Sequence, residues 1–236
     1  MASAVTKARQ WAKVDSDSRD RDELLALIEA AETGNEAAAA EIEDRMSGPL
    51  TFGTAGLRGA MGAGPNRMNT AVVTTATAGL CEVLAEDLGK GFHLVVGYDA
   101  RHRSEEFART VAGVATAAGG RVSLMPSRLP TPLVAFALND LDADAAVMVT
   151  ASHNPPADNG YKVYLGRRMS EQGAAGAQIV SPMDARIFEA ILDVGRAADV
   201  AVSAQGWEVL DREIVDRYVE TTAALASHGG APIKVA

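Results

Sequence analysis

The side chains best suited to chemistry stand together in one short string, Thr-Ala-Ser-His-Asn at residues 150–154. Ser152 has the small Ala151 on one side and the imidazole of His153 on the other, so its hydroxyl is expected to be reachable, with an acid, base or donor group beside it. An apolar run at residues 145–149 predicts a buried strand just before the string. Because ligands of open α/β sheets bind outside the carboxyl ends of strands, we expect a ligand here.

The segment after this string is expected to return a cation to it. Pro155-Pro156 stiffens the loop, Asn159-Gly160 predicts a tight turn, and the next strand brings Lys162 back beside Ser152. A hydroxyl, an imidazole, an amide and an ammonium at one edge suit phosphoryl transfer, where catalysis is mainly positioning and charge stabilisation. Residue types alone leave a second interpretation open, a merely polar loop with a capping serine and a buried histidine.

A second segment with functional potential is rich in glycine, since residues 47–69 contain six glycines and two prolines. Such a density indicates backbone in unusual conformations, or backbone that approaches a ligand closely. Arg58 lies in this segment, and a second group of basic side chains, Arg101-His102-Arg103, follows a predicted strand. A small anionic substrate would need only local positive charge of this kind.

The charged residues near that strand have competing interpretations. Asp99 and Arg101 are predicted to form a structural ion pair between adjacent loops, although Arg101 is also a candidate for phosphate binding. His102 and Arg103 either add positive potential or lie on a solvated surface. The alternating carboxylates at residues 140–144 lack a glycine between them and are interpreted as a solvated turn.

Short strands alternate with helices along the chain, which indicates an α/β fold with three layers, α/β/α. The fourth strand follows the third after only a loop, so this pair is expected to be antiparallel and the four-stranded sheet mixed but mostly parallel. The strands are predicted at residues 93–99, 121–125, 145–150 and 161–165. The helices are predicted at 20–46 with a break at Gly34-Asn35, from Asn69 or Thr70 to Leu88, from a Ser104 cap to Gly119, at 133–139, after a Ser181 cap, and at 208–226.

Composition narrows the class of protein. The net charge of −9 over 236 residues provides no general basic field for a nucleic-acid backbone. No run is apolar enough to span a bilayer, and residues 1–17 lack a signal-peptide core, so the expected location is the cytoplasm. Cys81 is the only cysteine, which excludes an internal disulfide and predicts an inert core residue.

Four ordered strings resemble one family of enzymes. They are FGTAGLRGAMGAGPNRMN, GYDARHRSEEFA, PTPLVAFA and TASHNPPADNGYKVY. Together they resemble the α-D-phosphohexomutases, the phosphoglucomutases and phosphomannomutases, in detail over residues 50–165. The resemblance implies a sugar monophosphate substrate, a bisphosphate activator such as glucose 1,6-bisphosphate, and no nucleic-acid or membrane partner.

The resemblance also implies roles for individual residues. Ser152 would carry the phosphoryl group, and its phosphate would be one ligand of a magnesium ion. Arg58 and Lys162 would assist proton transfer or stabilise charge, although Arg58 could merely brace the glycine-rich segment and Lys162 could face solvent. His153 would take part in catalysis. The substrate and phosphate-binding candidates are Asn154, Thr54, Gly56 and Arg101.

The chain departs from the family in length. Family members have four domains, and an Asp-Gly-Asp string that holds the metal in their second domain is absent from this sequence. We therefore predict an N-terminal helical extension at 1–46, domain I at 47–205, and a linker helix with the start of a truncated second domain at 206–236. Residues 232–236 are predicted to begin a strand of that second domain. The alternatives are a phosphopentomutase of the same family and a non-catalytic short paralogue that binds a phosphosugar or a partner.

Overall fold

A mixed sheet forms the centre of the molecule. The computed structural model describes residues 2–52, 56–171 and 173–226. The strands are β1 (Leu57–Ala60), β2 (His93–Tyr98), β3 (Arg121–Leu124), β4 (Ala145–Val149), β5 (Asp158–Leu165) and β6 (Glu208–Val209). Their order in the sheet is β1-β5-β4-β2-β3-β6. Strands β4, β2, β3 and β6 run parallel, whereas β5 is antiparallel to β4 and β1 is antiparallel to β5.

The sheet confirms the mixed α/β class, but among the residues that the structure describes it has six strands rather than the predicted four. The antiparallel pairing of β4 and β5 was predicted from the short connection between them. Strand β1 was missed because it lies inside the glycine-rich segment, whose composition is typical of loops. Residues 208 and 209 were predicted to begin a helix, but they form the two-residue strand β6, in which Glu208 and Val209 pair with Ser123 and Leu124; the helix starts later, at Glu213.

Helices cover both faces of the sheet. They are α1 (Ala2–Val14), α2 (Ser18–Glu32), α3 (Glu36–Arg45), α4 (Thr70–Leu88), α5 (Ser104–Ala117), α6 (Thr131–Asp140), α7 (Met183–Asp193) and α8 (Glu213–Ala224). Among the described residues, no helix is both long and apolar enough to cross a membrane.

Side chains that alternate along the strands divide the core in two. Leu94 and Val96 of β2 pack in the cluster formed by α4, α5 and α7. Val95, between them, packs with α6 and α8 on the opposite face. This period-two alternation confirms the three-layer arrangement. A third, smaller apolar cluster joins α1, α2 and α3, with Leu24, Ile28 and Ile42 at its centre.

The helix ends confirm some predictions and correct others. Asn69 caps α4 by accepting a hydrogen bond from the Val72 amide at 2.9 Å, as expected. The predicted cap at Ser104 is wrong, because Ser104 is the first helical residue of α5 and its hydroxyl donates to Asp99 at 2.7 Å. The residue before α7 is Pro182 and makes no side-chain cap bond, so the cap predicted at Ser181 is also wrong.

Two further local predictions are wrong. Asn159-Gly160 does not form a turn: both residues lie within β5 and are buried. The run at residues 140–144 is not simply a solvated turn, because Asp144 is 1% exposed and forms an ion pair with Arg168 at 2.6 Å. Cys81 is buried, as predicted.

Candidate active site

The Ser152 loop, defined here as residues 150–158, begins where β4 ends. Ser152 is exposed and has a φ of 58°, a left-handed conformation that is uncommon for a residue with a side chain. Its amide donates to the Thr150 hydroxyl oxygen at 2.9 Å, and the Thr150 hydroxyl donates to Asp99 Oδ2 at 2.6 Å. The strained backbone of Ser152 is thereby held from the neighbouring strand, β2, by way of Asp99.

Asp99 is the anchor of this arrangement. Its Oδ1 accepts hydrogen bonds from the Arg101 amide at 3.0 Å and from the Ser104 hydroxyl at 2.7 Å. Both carboxylate oxygens are therefore engaged within the protein. Such a carboxylate fixes a loop more firmly than it serves as a proton acceptor, because each oxygen already has its partners.

The Arg101 guanidinium binds the backbone of the Ser152 loop. Its Nη1 and Nη2 donate to four carbonyl oxygens, those of Ser152 at 2.9 Å, Asn154 at 2.7 Å, Pro155 at 2.8 Å and Asp158 at 3.1 Å. Its Nε lies 3.4 Å from Asp99, as the predicted ion pair requires. The geometry favours the structural interpretation of Arg101, and its assignment to phosphate binding stays a prediction.

Strand β1 brings Arg58 to the loop from the sheet edge. Arg58 pairs with Gly160 of β5, and its Nη1 donates to the Asn154 side-chain oxygen at 3.1 Å. The side-chain nitrogen of Asn154, Nδ2, in turn donates to the Asp158 carboxylate at 2.9 Å. Within the described residues Arg58 has no carboxylate in ion-pair contact, so its charge is available to an anion.

Gly56 explains how closely β1 approaches β5. Its φ is 95°, and a Cβ there would lie 2.0 Å from the Tyr161 carbonyl oxygen. Only glycine fits this contact. Thr54, the other candidate in this segment, lies outside the described residues. Gly56 is therefore placed beside the site, and its predicted role in phosphate binding remains a prediction.

Lys162 is half-buried on β5, opposite Met148 of β4. Burial lowers the pKa of its ammonium below the usual value, the charge of Arg58 lowers it further, and Asp99 partly opposes this. No hydrogen bond or ion pair to the Lys162 ammonium occurs among the described residues. The site therefore holds two cations, Arg58 and Lys162, that repel each other until an anion arrives.

His153 makes one weak contact with Ser152. It is exposed, and its Nδ1 lies 3.4 Å from the Ser152 hydroxyl oxygen, a long contact for a hydrogen bond. Its role in catalysis stays a prediction. The hydroxyl of Ser152 is thus open to solvent.

The described residues do not form a metal site by themselves. No group of three or more His, Cys, Asp or Glu side chains suited to a metal occurs among residues 2–52, 56–171 and 173–226. The carboxylate of Asp99 is already engaged. A hard cation such as magnesium takes about six oxygen ligands, and the assignment of a phosphate oxygen on Ser152 as one of them stays a prediction.

The comparisons with known proteins agree with this geometry. The family model described as "Phosphoglucomutase/phosphomannomutase, alpha/beta/alpha domain I" matches residues 49–193, more than half of the chain. The chain belongs to this family. The matched residues include β1 to β5 and α4 to α7, whereas α1, α2 and α3 precede the match.

Individual relatives are phosphosugar mutases. The chain is 44% identical over 161 residues to "Probable phosphomannomutase" of Haemophilus influenzae, covering 67% of this chain and 32% of that protein. It is 39% identical over 184 residues to the phosphoribomutase of Saccharomyces cerevisiae, covering 77% and 27%. A solved structure, a candidate phosphomannomutase from Thermus thermophilus, aligns with a TM-score of 0.61 at 30% identity, covering 76% and 36%. The chain therefore spans about a third of the length of these relatives.

Two residues that hold the loop escaped the sequence reasoning, and a third, Asp99, was predicted to pair with Arg101 but not to bind Thr150. Thr150 and Asp99 orient Ser152, as described above, and Asn159 links β5 to the turn before α5 by donating to the His102 carbonyl and the Ser104 hydroxyl. Asn159 is fully buried. The available signal for Asp99 and Thr150 was a polar residue just after an apolar strand, but the sequence does not say which of these residues bond to one another.

Proposed function

We propose that this chain carries the phosphoryl-transfer site of a phosphosugar mutase, with Ser152 as the carrier of the phosphoryl group. One observation carries the proposal: an exposed serine, held in a left-handed conformation by Thr150, lies on the same sheet edge as Arg58 and Lys162. Two cations without a carboxylate partner suit an anionic group on that serine. Catalysis of phosphoryl transfer by positioning and charge stabilisation requires this arrangement.

The proposed reaction has two matching halves. In the first, the phosphorus–oxygen bond at Ser152 breaks and a new one forms to a hydroxyl of the sugar monophosphate, which gives a bisphosphate. In the second, the other phosphate of that bisphosphate returns to the Ser152 oxygen. Arg58 would remain charged throughout and stabilise the transferred group. Burial increases the small fraction of Lys162 that is uncharged, and in that form the amine would accept the proton of the attacking hydroxyl and pass it to the leaving Ser152 oxygen.

The phosphoserine assignment is tested by phosphate mapping. The longest natural polypeptide that contains this sequence is incubated with glucose 1,6-bisphosphate and magnesium, and its peptides are analysed by mass spectrometry. We expect the phosphate on Ser152 and none in the Ser152→Ala variant. Ser123→Ala is the matched control, because Ser123 is buried and should leave labelling unchanged. A phosphate on another residue of the unmodified protein contradicts the proposal.

The substrate and the turnover of this chain are separate questions. Relatives include a phosphomannomutase and a phosphoribomutase, so we propose a hexose phosphate substrate and keep a pentose phosphate as the alternative. Comparing turnover of glucose, mannose and ribose phosphates decides between them. The 236-residue chain alone is expected to give little or no conversion of glucose 1-phosphate to glucose 6-phosphate in a coupled assay, because the described residues form no metal site. Turnover near that of the longest form would contradict this expectation.

A second candidate function has specific support. Because all residues of the Ser152 loop are present in this chain, a non-catalytic protein with this loop would still be able to bind a phosphosugar. Phosphate incorporation at Ser152 separates the two functions, since a binding protein would retain the ligand without forming the covalent bond.

A further inference from the structure

Arg103 takes neither of the roles considered for it from the sequence. It has a φ of 62° immediately before α5, and its guanidinium is directed into an acidic cluster instead of toward solvent or the site. Its side chain is 16% exposed. The partners are Asp17 and Asp20 at 2.6 Å each, Glu106 at 2.9 Å and the Thr70 hydroxyl at 3.1 Å, with the Phe107 ring centroid at 4.9 Å.

Two of these partners belong to the N-terminal helices. Asp17 caps α2, and Asp20 lies in its first turn, 3% exposed. Burying Asp20 is unfavourable: one of its oxygens has no hydrogen-bond partner among the described residues, and burial raises its pKa. Arg103 opposes that cost with a charged hydrogen bond. The contact therefore joins α2 to the start of α5 at a fixed geometry.

The turn that contains Arg103 also supports the Ser152 loop. Within residues 99–104, Asp99 binds Thr150 and Arg101 binds the loop carbonyls, as described above. Asn159 donates to the His102 carbonyl at 2.9 Å from the other side. One short turn thus faces α2 through Arg103 and the Ser152 backbone through Arg101.

The same N-terminal helices hold the segment that carries Arg58. Glu23 of α2 accepts the Ala63 amide at 3.3 Å, and Arg45 of α3 donates to the Ala63 carbonyl at 3.3 Å. Arg45 also forms an ion pair with Glu23 at 2.8 Å. Ala63 lies three residues after β1. The two parts of the site, on β1 and after β4, therefore rest on one group of helices.

We propose that helices α1 to α3 are a brace that fixes Arg58 and Ser152 relative to each other, with Arg103 as the positioning residue that links the brace to the Ser152 loop. These helices lie outside the residues that the family model matches. The part of the proposal that concerns reaction rate rests on the proposed function. The part that concerns loop geometry does not.

The test compares Arg103→Lys with Arg186→Lys. Lysine keeps the charge but loses the planar fork that reaches several carboxylates at once. Arg186 is a matched control because it also binds two carboxylates, Glu86 and Asp87, and joins α7 to α4 away from the site. Hydrogen–deuterium exchange is measured over residues 150–158 and over the core strands β2 and β4.

We expect Arg103→Lys to raise exchange in the loop by about fivefold, as the loss of roughly one hydrogen bond would. Exchange in β2 and β4 should stay unchanged, and so should every region near the site in Arg186→Lys. The rate of Ser152 labelling by glucose 1,6-bisphosphate should fall in Arg103→Lys alone. If Arg103→Lys does not fold, Asp17→Asn replaces it, since asparagine keeps the helix cap and weakens the ion pairs of Asp17 with Arg103 and with the exposed Arg19.

Two results would overturn the proposal: unchanged loop exchange in a folded Arg103 or Asp17 variant, or an increase shared equally by the core strands. The proposed function fails separately. If unmodified protein takes no phosphate on Ser152 while loop exchange responds to Arg103→Lys, the brace stands and the phosphoserine assignment falls.

Discussion

Two serine–histidine pairs lie near opposite ends of the parallel strands. They differ in exposure to solvent, in the serine–histidine distance and in the charges around them. At the carboxyl edge, Ser152 and His153 are exposed and 3.4 Å apart. Toward the amino end of the strands, Ser123 Oγ lies 2.9 Å from His93 Nε2 in a good hydrogen bond, and both residues are buried. The better serine–histidine geometry therefore belongs to the pair that no substrate reaches.

The surroundings of the buried pair confirm a structural role. Asp144 Oδ2 accepts the His93 amide at 2.7 Å, and the same carboxylate binds Arg168. Burial lowers the pKa of His93 and Arg121 lowers it further, which favours the neutral imidazole, while Asp144 and Glu208 partly oppose this shift. By contrast, Ser152 has two cations nearby. Access and uncompensated charge, more than a serine–histidine contact, distinguish the candidate site.

The largest expected effect comes from removing those cations. Arg58→Gln or Lys162→Met should each slow phosphate incorporation at Ser152 by about 100-fold, since each removes a charge-stabilising or proton-transferring group. The rate is measured by quenched-flow labelling and mass spectrometry. Arg186→Gln is the control and should react like the unmodified protein. Equal rates in all four proteins would place the chemistry elsewhere.

The two edges should also respond differently to loss of a hydroxyl. Thr150→Val strands the Ser152 amide, and Ser123→Ala strands the His93 imidazole. Each should lower the free energy of unfolding by about 1–3 kcal/mol, because a group that was hydrogen-bonded within the protein loses its partner. Only Thr150→Val should slow labelling of Ser152. Chemical denaturation and labelling rates check the two parts, and a slow Ser123→Ala variant would break the contrast.

The approach of β1 to the site can be tested at two glycines with nearly equal backbone angles. Gly56 has a φ of 95° and Gly34 has 96°, but only Gly56 leaves no room for a Cβ. Gly56→Ala should therefore lower the free energy of unfolding by about 1–3 kcal/mol more than Gly34→Ala, the cost of forced overpacking. Thermal or urea unfolding provides the comparison. Equal losses would show that β1 does not lie against Tyr161.

The smallest effect concerns the charge of Lys162. Its pKa should lie below the ordinary value of 10.5, because burial and Arg58 disfavour the ammonium. Because the unfolded chain holds this proton more tightly, the group's contribution to the free energy of unfolding rises with pH between the two pKa values. Titration of ¹³C-labelled lysine by NMR measures the midpoint.

Arg58→Gln should move that midpoint upward in part, since burial, the larger cause, remains. Arg186→Gln is the control and should leave it unchanged. A midpoint above 10.5 in the unmodified protein would contradict the repulsion between the two cations.

Much of this molecule could be predicted because the signals were local. The apolar runs predicted β2 to β5, the connection after β4 predicted an antiparallel partner, and Asn69 predicted the start of α4. The predictions failed where local composition and tertiary pairing disagreed. Strand β1 exists because its backbone pairs with β5, although its residues resemble a loop. Asn159-Gly160 resembles a turn but lies in a strand, because the buried Asn159 side chain donates hydrogen bonds to His102 and Ser104, in the turn at the start of α5.

The sequence by itself determined the family and the position of Ser152 just after β4, because these depend on short strings and on the period of apolar residues. It did not determine the partners of the arginines. Arg101 binds backbone carbonyls, Arg58 binds an asparagine side chain, and Arg103 binds an acidic cluster. Only the tertiary structure decided this, because the partners of a long, charged side chain come from segments that folding brings together from distant parts of the chain.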